Sequence, residues 1–141
     1  MNRELLGIVF ERVEASDPDV VKSIGKSFVF DIPDPASRLL VDFSGGVPDK
    51  SYFFSNEYGV EVGVGYVLVC RDKSKRVTFS DARGRVSDKS ILPLFVDNGN
   101  SGYLCINGSG EVVYVTLHSK DVVAFASSIT AFLEGLEVPP F

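Results

Sequence analysis

The residues best suited to catalysis lie around His118, the only histidine in the chain. Histidine beside a hydroxyl or a carboxylate can act as a general acid or base, and Ser119 and Asp121 follow His118 closely. Both neighbours are typical turn residues, however, and His118 comes at the end of a predicted strand. The pattern favours a solvated or structural histidine, so we predict no catalytic residues and no enzymatic activity.

The sequence gives little support for a metal site or a phosphate-binding loop. Cys70 and Cys105 lie in separate apolar runs without a Cys-x-x-Cys pair, which predicts buried, reduced thiols rather than zinc ligands. The segment DNGNSG, beginning at Asp97, offers oxygen ligands but lacks calcium-loop spacing, and Asn-Gly is a turn signal. The glycines of GVEVGVGYV do not follow GxGxxG and no helix comes next, which indicates a bent strand. We predict no metal and no cofactor.

Charge is unevenly distributed along the chain, whose net charge is −5. Residues 71–89 contain seven basic and three acidic residues, whereas the rest contains seven basic and sixteen acidic ones. The acidic excess argues against general nucleic-acid binding and would steer a basic partner toward the protein. The basic segment could stack a nucleic-acid base on Phe79 or form a partner-binding rim, but we predict a charge-protected hairpin edge.

Helices are predicted in the first third of the chain. Apolar residues from Leu5 to Val13 fit one helical face, although Ile8 and Phe10 interrupt it. Asp17 before a proline predicts the start of a second helix.

A third helix is predicted by the same pattern. Asp34 would cap it and Pro35 would occupy its first position, while Gly45 and Gly46 would end it at positive φ.

Strands and one closing helix are predicted in the remainder. The turn signals NGNSG and NGSG separate apolar runs, and NGSG favours an antiparallel hairpin. Ile129, Phe132, Leu133 and Leu136 share a helical face that Ser127 or Ser128 can cap. Besides the bent strand, the predicted strands are Val77–Phe79, Ile91–Val96, Tyr103–Asn107, Val112–Leu117 and Val122–Phe125.

Together these elements predict a single α+β domain over residues 1–141. Its mostly antiparallel sheet of about five to six strands would carry N-terminal helices and a C-terminal helix packed on it. No stretch approaches the ~18 apolar residues of a membrane span, and no signal peptide is visible, so we expect a cytoplasmic protein without membrane contact.

Three segments resemble the SUKH superfamily, also called Smi/Knr-like domains. IGKSFVFDIPDPASRLLVDFSGGVP is similar to its opening, with Ile32–Pro33 at the "LP" turn and Ser44–Pro48 at the "NGG-P" motif. LPLFVDNGNSGYLCINGSGEVVYVTLH and VAFASSITAFLEGL are similar to its later hairpins and closing helix. The resemblance runs from about Val20 to Leu136.

The resemblance implies an α+β fold without catalytic residues. Bacterial members of this superfamily are mostly immunity proteins that bind a cognate toxin domain, often a nuclease or deaminase, in the cytoplasm. Other members act as adaptors or scaffolds that dock a cellular protein, and this remains the alternative. On the residues themselves, we predict contact with a basic protein partner through acidic, aromatic and amide side chains in loops: Asp49, Tyr52, Glu57, Tyr58, Glu61, Asp97, Asn98 and Asn100.

Overall fold

The N-terminal segment forms a β-hairpin in the computed structural model, which describes residues 3–71, 73–119 and 121–140. Strands β1 (Arg3–Leu5) and β2 (Ile8–Glu11) are joined by Leu6 and Gly7, both at positive φ. The predicted helix is therefore wrong. Ile8 and Phe10, which interrupted the helical face, are buried two residues apart, as strand alternation requires. The short strand β3 (Val47–Pro48) pairs with β2 and completes a three-stranded sheet.

Two helices connect the hairpin to β3. Helix α1 (Pro18–Lys26) begins as predicted, because the Asp17 carboxylate accepts from the backbone N–H of Asp19 at 3.0 Å. Helix α2 (Ala36–Asp42) begins one residue later than predicted, with Pro35 at the cap position. The predicted capping role of Asp34 is wrong, since its carboxylate precedes the cap and instead lies 3.9 Å from the Arg38 guanidinium.

The segment after Gly46 continues into a six-stranded antiparallel sheet in which each strand pairs with the next along the chain. This arrangement confirms the predicted α+β class and the predicted hairpin at NGSG. The long valine-rich strand bends at Gly65, where its register shifts. The strands are β4 (Tyr52–Ser55), β5 (Val60–Val67), β6 (Ile91–Asp97), β7 (Gly102–Asn107), β8 (Val112–Thr116) and β9 (Val122–Ala126).

The basic segment is a helix rather than a hairpin edge. Helix α3 (Phe79–Arg85) replaces the predicted strand Val77–Phe79, of which only Thr78 makes an isolated bridge, to Val69. Thr78 Oγ1 accepts from the N–H of Asp81 at 3.1 Å, and the Asp81 carboxylate accepts from the N–H of Thr78 at 3.2 Å. This reciprocal cap satisfies two of the donors that a helix start leaves unpaired, so it fixes where α3 begins.

The hydrophobic core is one cluster that runs from the N-terminal hairpin and helices α1 to α3 across the large sheet to the C-terminal helix α4 (Ile129–Glu134). Ser128 caps α4 as predicted. Phe132 is fully buried and its ring centroid lies 4.6 Å from that of Phe53 and 6.0 Å from that of Phe95. Cys70 and Cys105 are free and buried, as predicted. Burial raises the pKa of the Cys70 thiol to about 12 and also raises that of Cys105.

Gly45 and Gly46 have different roles in the turn after α2. Gly45 has a φ of +74°, as predicted, whereas Gly46 does not require positive φ. Gly46 is needed for space, because a Cβ there would lie 2.9 Å from Phe10 Cβ and 2.9 Å from the Phe43 carbonyl oxygen. The turn is also held by Arg76, whose guanidinium donates to the carbonyl oxygen of Gly45.

Candidate protein-binding surface

The outer face of the β4–β5 hairpin carries an aromatic and acidic side-chain cluster. Side chains alternate along β4, so that Phe53 is buried in the core while Phe54 is 50% exposed on the other face. Cross-strand pairing places Tyr52 opposite Gly63 and Phe54 opposite Glu61. Because directly opposed residues share a face, these four residues lie together on the outside of the sheet. We call this face, defined by Tyr52, Phe54, Glu61 and Gly63, the hairpin face.

Tyr52 is held in place from two directions. Its hydroxyl donates to Glu61 Oε2 at 2.5 Å and so restrains the orientation of that carboxylate. Its backbone N–H donates to the Glu137 carbonyl at 3.0 Å, and the Glu137 N–H donates to the Tyr52 carbonyl at 2.8 Å. The hydrogen bond to Glu61 is the main cause of a raised Tyr52 pKa, and the Glu137 carboxylate adds to it. The chain segment after α4 thus fixes the edge of the hairpin face.

Asn98 closes the hairpin face at the end of β6. Its backbone N–H donates to the Gly63 carbonyl at 2.9 Å. Its carboxamide occupies the space where a Cβ on residue 63 would lie, so the close approach depends on Gly63 being a glycine. Between this carboxamide and the carboxylate of Glu61 lies a half-open cavity of about 200 Å³. We call it the Glu61 slot; it is lined by Ser51, Tyr52, Glu61, Val62, Gly63, Asn98 and Pro139.

Asp97 has a structural role instead of the predicted contact role. It is only 9% exposed, and its Oδ1 accepts from the N–H groups of Ser101 at 2.8 Å and Gly102 at 3.3 Å. Its Oδ2 accepts from the Tyr114 hydroxyl at 2.8 Å. Burial, followed by this hydrogen bond, raises the pKa of Tyr114 to about 12. The carboxylate organises the β6–β7 turn, which is why it is unavailable to a partner.

The other predicted contact residues are dispersed. The exposed Asp49 accepts from the N–H of Val9 at 3.0 Å and so anchors the N-terminal hairpin. Glu57 is exposed and Tyr58 is half-buried in the β4–β5 turn. Burial is the main cause of a raised Tyr58 pKa, with a contribution from the Glu57 carboxylate. Asn100 is exposed and borders a separate cavity beside α3.

The structure therefore groups three of the eight predicted residues in the Glu61 slot: Tyr52, Glu61 and Asn98. Two residues of the hairpin face, Phe54 and Gly63, were not among the predicted contact residues. Strand alternation in YFFS requires one of the two phenylalanines to face outward, but only the register with β5 decides which one.

The surroundings of His118 are those of a turn. His118 is exposed, and within the described ranges no hydrogen bond joins it to Ser119 or Asp121. Ser119 instead donates to Asp121 Oδ2 at 2.8 Å and shares a hydrogen bond with Thr116 Oγ1 at 2.7 Å. Over residues 3–71, 73–119 and 121–140, no group of three histidine, cysteine or acidic residues is placed to hold a metal ion.

Comparison with models of known protein families, with curated proteins and with solved structures gives no significant match for this chain. The resemblance to the SUKH superfamily thus stays a prediction from the residues that carry it. In the part of the chain that the structure describes, no helix has the length and apolar character needed to cross a membrane.

Proposed function

We propose that this protein is a bacterial immunity protein of the SUKH superfamily, which binds a basic toxin domain and neutralises it by covering its active site. The observation that carries the proposal is the hairpin face, where the ring of Phe54, which is 50% exposed, lies opposite the exposed carboxylate of Glu61. Aromatic side chains at the centre of an interface supply much of its binding energy, while charges around them set orientation and partner choice.

Electrostatics support a basic partner. The carboxylates of Glu57, Glu61 and Glu137 belong to the β4–β5 hairpin and the segment bonded to it, and all three side chains are exposed. Among the residues that the structure describes, no lysine or arginine lies within ion-pair distance of any of them. Their field is therefore available to accelerate association with a cationic surface, such as that of a nuclease.

Occlusion by this protein needs no chemistry of its own. A toxin blocked by a bound surface loses activity in proportion to the fraction bound, so tight 1:1 association is sufficient. The toxin would be a nuclease or a deaminase of a polymorphic or contact-dependent system, and the complex would form in the cytoplasm of the producing cell. No direct contact with nucleic acid or membrane is part of this mechanism.

The test is co-expression with the product of the neighbouring upstream gene, followed by co-purification and an assay of toxin activity. We expect a 1:1 complex whose dissociation constant rises as NaCl is increased from about 50 mM to about 500 mM. Phe54→Ala should weaken the complex at least about tenfold, corresponding to loss of a central aromatic contact. Val29→Ala is the matched control, because Val29 is 73% exposed and lies in the loop between α1 and α2, outside the β4–β5 hairpin.

Two outcomes would decide against the proposal. A complex that forms without reducing toxin activity would favour the alternative function, an adaptor domain that docks a cellular protein. Equal binding by Phe54→Ala and Val29→Ala would place the contact on a different surface. A second pair, Glu61→Gln and the exposed Glu4→Gln in β1, repeats the comparison for charge.

A further inference from the structure

We propose that the Glu61 slot binds the side chain of an arginine. The inference rests on the proposed function in one respect: the arginine is taken to belong to the protein partner. The slot has about 200 Å³, less than the roughly 300–1,000 Å³ typical of sites for cofactors and small molecules. It is half open to solvent, and Pro139 forms part of its wall. These dimensions suit the end of one long side chain entering from outside.

The carboxylate of Glu61 is prepared for a planar cation. Tyr52 donates to Oε2 and so fixes the direction of the carboxylate, while Oε1 has no hydrogen bond from any described residue. A guanidinium can donate two parallel hydrogen bonds to a carboxylate, and the pair is stronger than hydrogen bonds between neutral groups. The fixed orientation of Glu61 reduces the side-chain entropy that such a pair would otherwise lose.

The opposite wall favours arginine over lysine. The carboxamide of Asn98 lies over Gly63, lines the slot with Glu61 and carries an oxygen that can accept a hydrogen bond. A guanidinium presents five donors in one plane and can reach acceptors on both walls, whereas an ammonium is compact and more strongly hydrated. Pro139 supplies apolar contact for the methylene groups of the entering side chain.

The third feature that favours arginine binding is the aromatic ring of Phe54 beside the slot. Phe54 lies directly across the strand pair from Glu61 and is half exposed. When a partner covers this ring, water is excluded from the neighbouring ion pair and the lower local dielectric strengthens it. The arginine and the surface around it would therefore be bound as one unit.

The test uses a short peptide, so that it does not depend on knowing the partner. Acetyl-Gly-Arg-Gly-amide is titrated into the ¹⁵N-labelled protein while the backbone amide signals of Gly63 and Asn98 are followed. We expect saturable shifts at both signals, at least about threefold weaker binding of the lysine peptide, and no saturable shift with the neutral citrulline peptide. Glu61→Gln should weaken the arginine peptide about tenfold, while Glu4→Gln should leave its affinity unchanged.

A second variant tests the geometry of the slot. Gly63→Ala introduces a Cβ into the space of the Asn98 carboxamide, which is the mobile end of a side chain, so the fold should survive while the slot is filled. Thermal melts of all three variants confirm folding. Weaker binding of the arginine peptide by Gly63→Ala supports the proposal. Unchanged binding of that peptide by both Gly63→Ala and Glu61→Gln overturns it. Equal responses of the wild-type protein to the arginine, lysine and citrulline peptides also overturn it.

The two proposals fail separately. Saturable arginine binding at Gly63 and Asn98 without any toxin complex would retain the slot and reject the immunity function. A toxin complex formed by a protein that shows no response to the arginine peptide would retain the function and reject the slot.

Discussion

Arg76 and Glu14 are 62 residues apart in the chain, yet the Arg76 guanidinium lies 2.5 Å from the Glu14 carboxylate. The same guanidinium donates to the carbonyl of Arg12 at 2.9 Å and to that of Gly45, and it lies 5.8 Å from the centroid of the Tyr66 ring. One side chain thus connects the end of the N-terminal hairpin, the turn after α2 and the bent strand β5. The residue belongs to the basic segment, but its charge is used inside the fold.

Removing this connection should destabilise the protein strongly. Arg76→Ala removes the donor to two backbone carbonyls and leaves the three-quarters buried Glu14 carboxylate with only the Ser74 hydroxyl and the more distant Arg71. We therefore expect a loss of about 2–3 kcal/mol in the free energy of unfolding. Arg38→Ala is the control, because its ion pair with Asp34 is 3.9 Å long and more than half exposed, and its loss should cost less than about 0.5 kcal/mol. Urea unfolding of both variants measures the difference, and similar losses would contradict the assigned role.

Two glycines should respond oppositely to alanine. At Gly46 a Cβ would meet Phe10 and the Phe43 carbonyl at 2.9 Å, so Gly46→Ala should destabilise by about 1–3 kcal/mol and Gly46→Val by more. At Gly25, inside α1, nothing lies within 4 Å of such a Cβ, so Gly25→Ala should stabilise by about 0.5–1 kcal/mol. Thermal unfolding distinguishes the two, and a Gly46→Val protein as stable as the wild type would show that the turn does have room for a side chain at residue 46.

The hydrogen bond between Tyr114 and Asp97 predicts a specific pH dependence. Because the folded pKa of Tyr114 is about 12 rather than the ordinary value of 10, the folded state retains a proton that the unfolded state releases. The stabilisation from this group is complete below about pH 10 and is lost as pH rises toward 12. We therefore expect the stability advantage of wild type over Tyr114→Phe to shrink across that interval in urea titrations. An advantage that stays constant from pH 8 to pH 12 would be inconsistent with the raised pKa.

The two thiols should be unreactive until the protein unfolds. Cys70 and Cys105 are fully buried, and burial raises the pKa of both, so almost no thiolate exists at about pH 8. A chromogenic disulfide reagent should react with neither thiol in the native protein and with both after addition of denaturant. Rapid reaction of one thiol under native conditions would mean that the core around β6 and β7 opens more readily than its packing suggests.

The sequence predicted those elements whose local and long-range signals agree. The hairpin at NGSG and the helix capped by Ser128 each combine a turn or capping signal with a clear apolar period, and both are present. The helix is shorter than predicted, because it ends at Glu134 and leaves Leu136 outside it. The N-terminal hairpin was missed because Leu5, Val9 and Val13 also fit a helical period. The strand form is stabilised by pairing between β1 and β2 and by pairing with β3, nearly forty residues away, which no local pattern contains.

Helix α3 was missed for a different reason. Val77, Thr78 and Phe79 have strong strand preferences, and the cap formed by Thr78 and Asp81 outweighs them. Asp97 was assigned to the surface because it begins a polar turn, although the turn folds around its carboxylate. The position of the candidate surface required the β4–β5 register, which no local pattern contains.

The paired backbone hydrogen bonds between Tyr52 and Glu137 have a practical consequence for anyone purifying this protein. An affinity tag joined just after Pro140 would begin next to the Glu61 slot, since Pro139 forms part of its wall. Pull-down experiments with such a tag would underestimate affinity by steric hindrance. Comparing amino-terminal and carboxy-terminal tags side by side would reveal that interference directly.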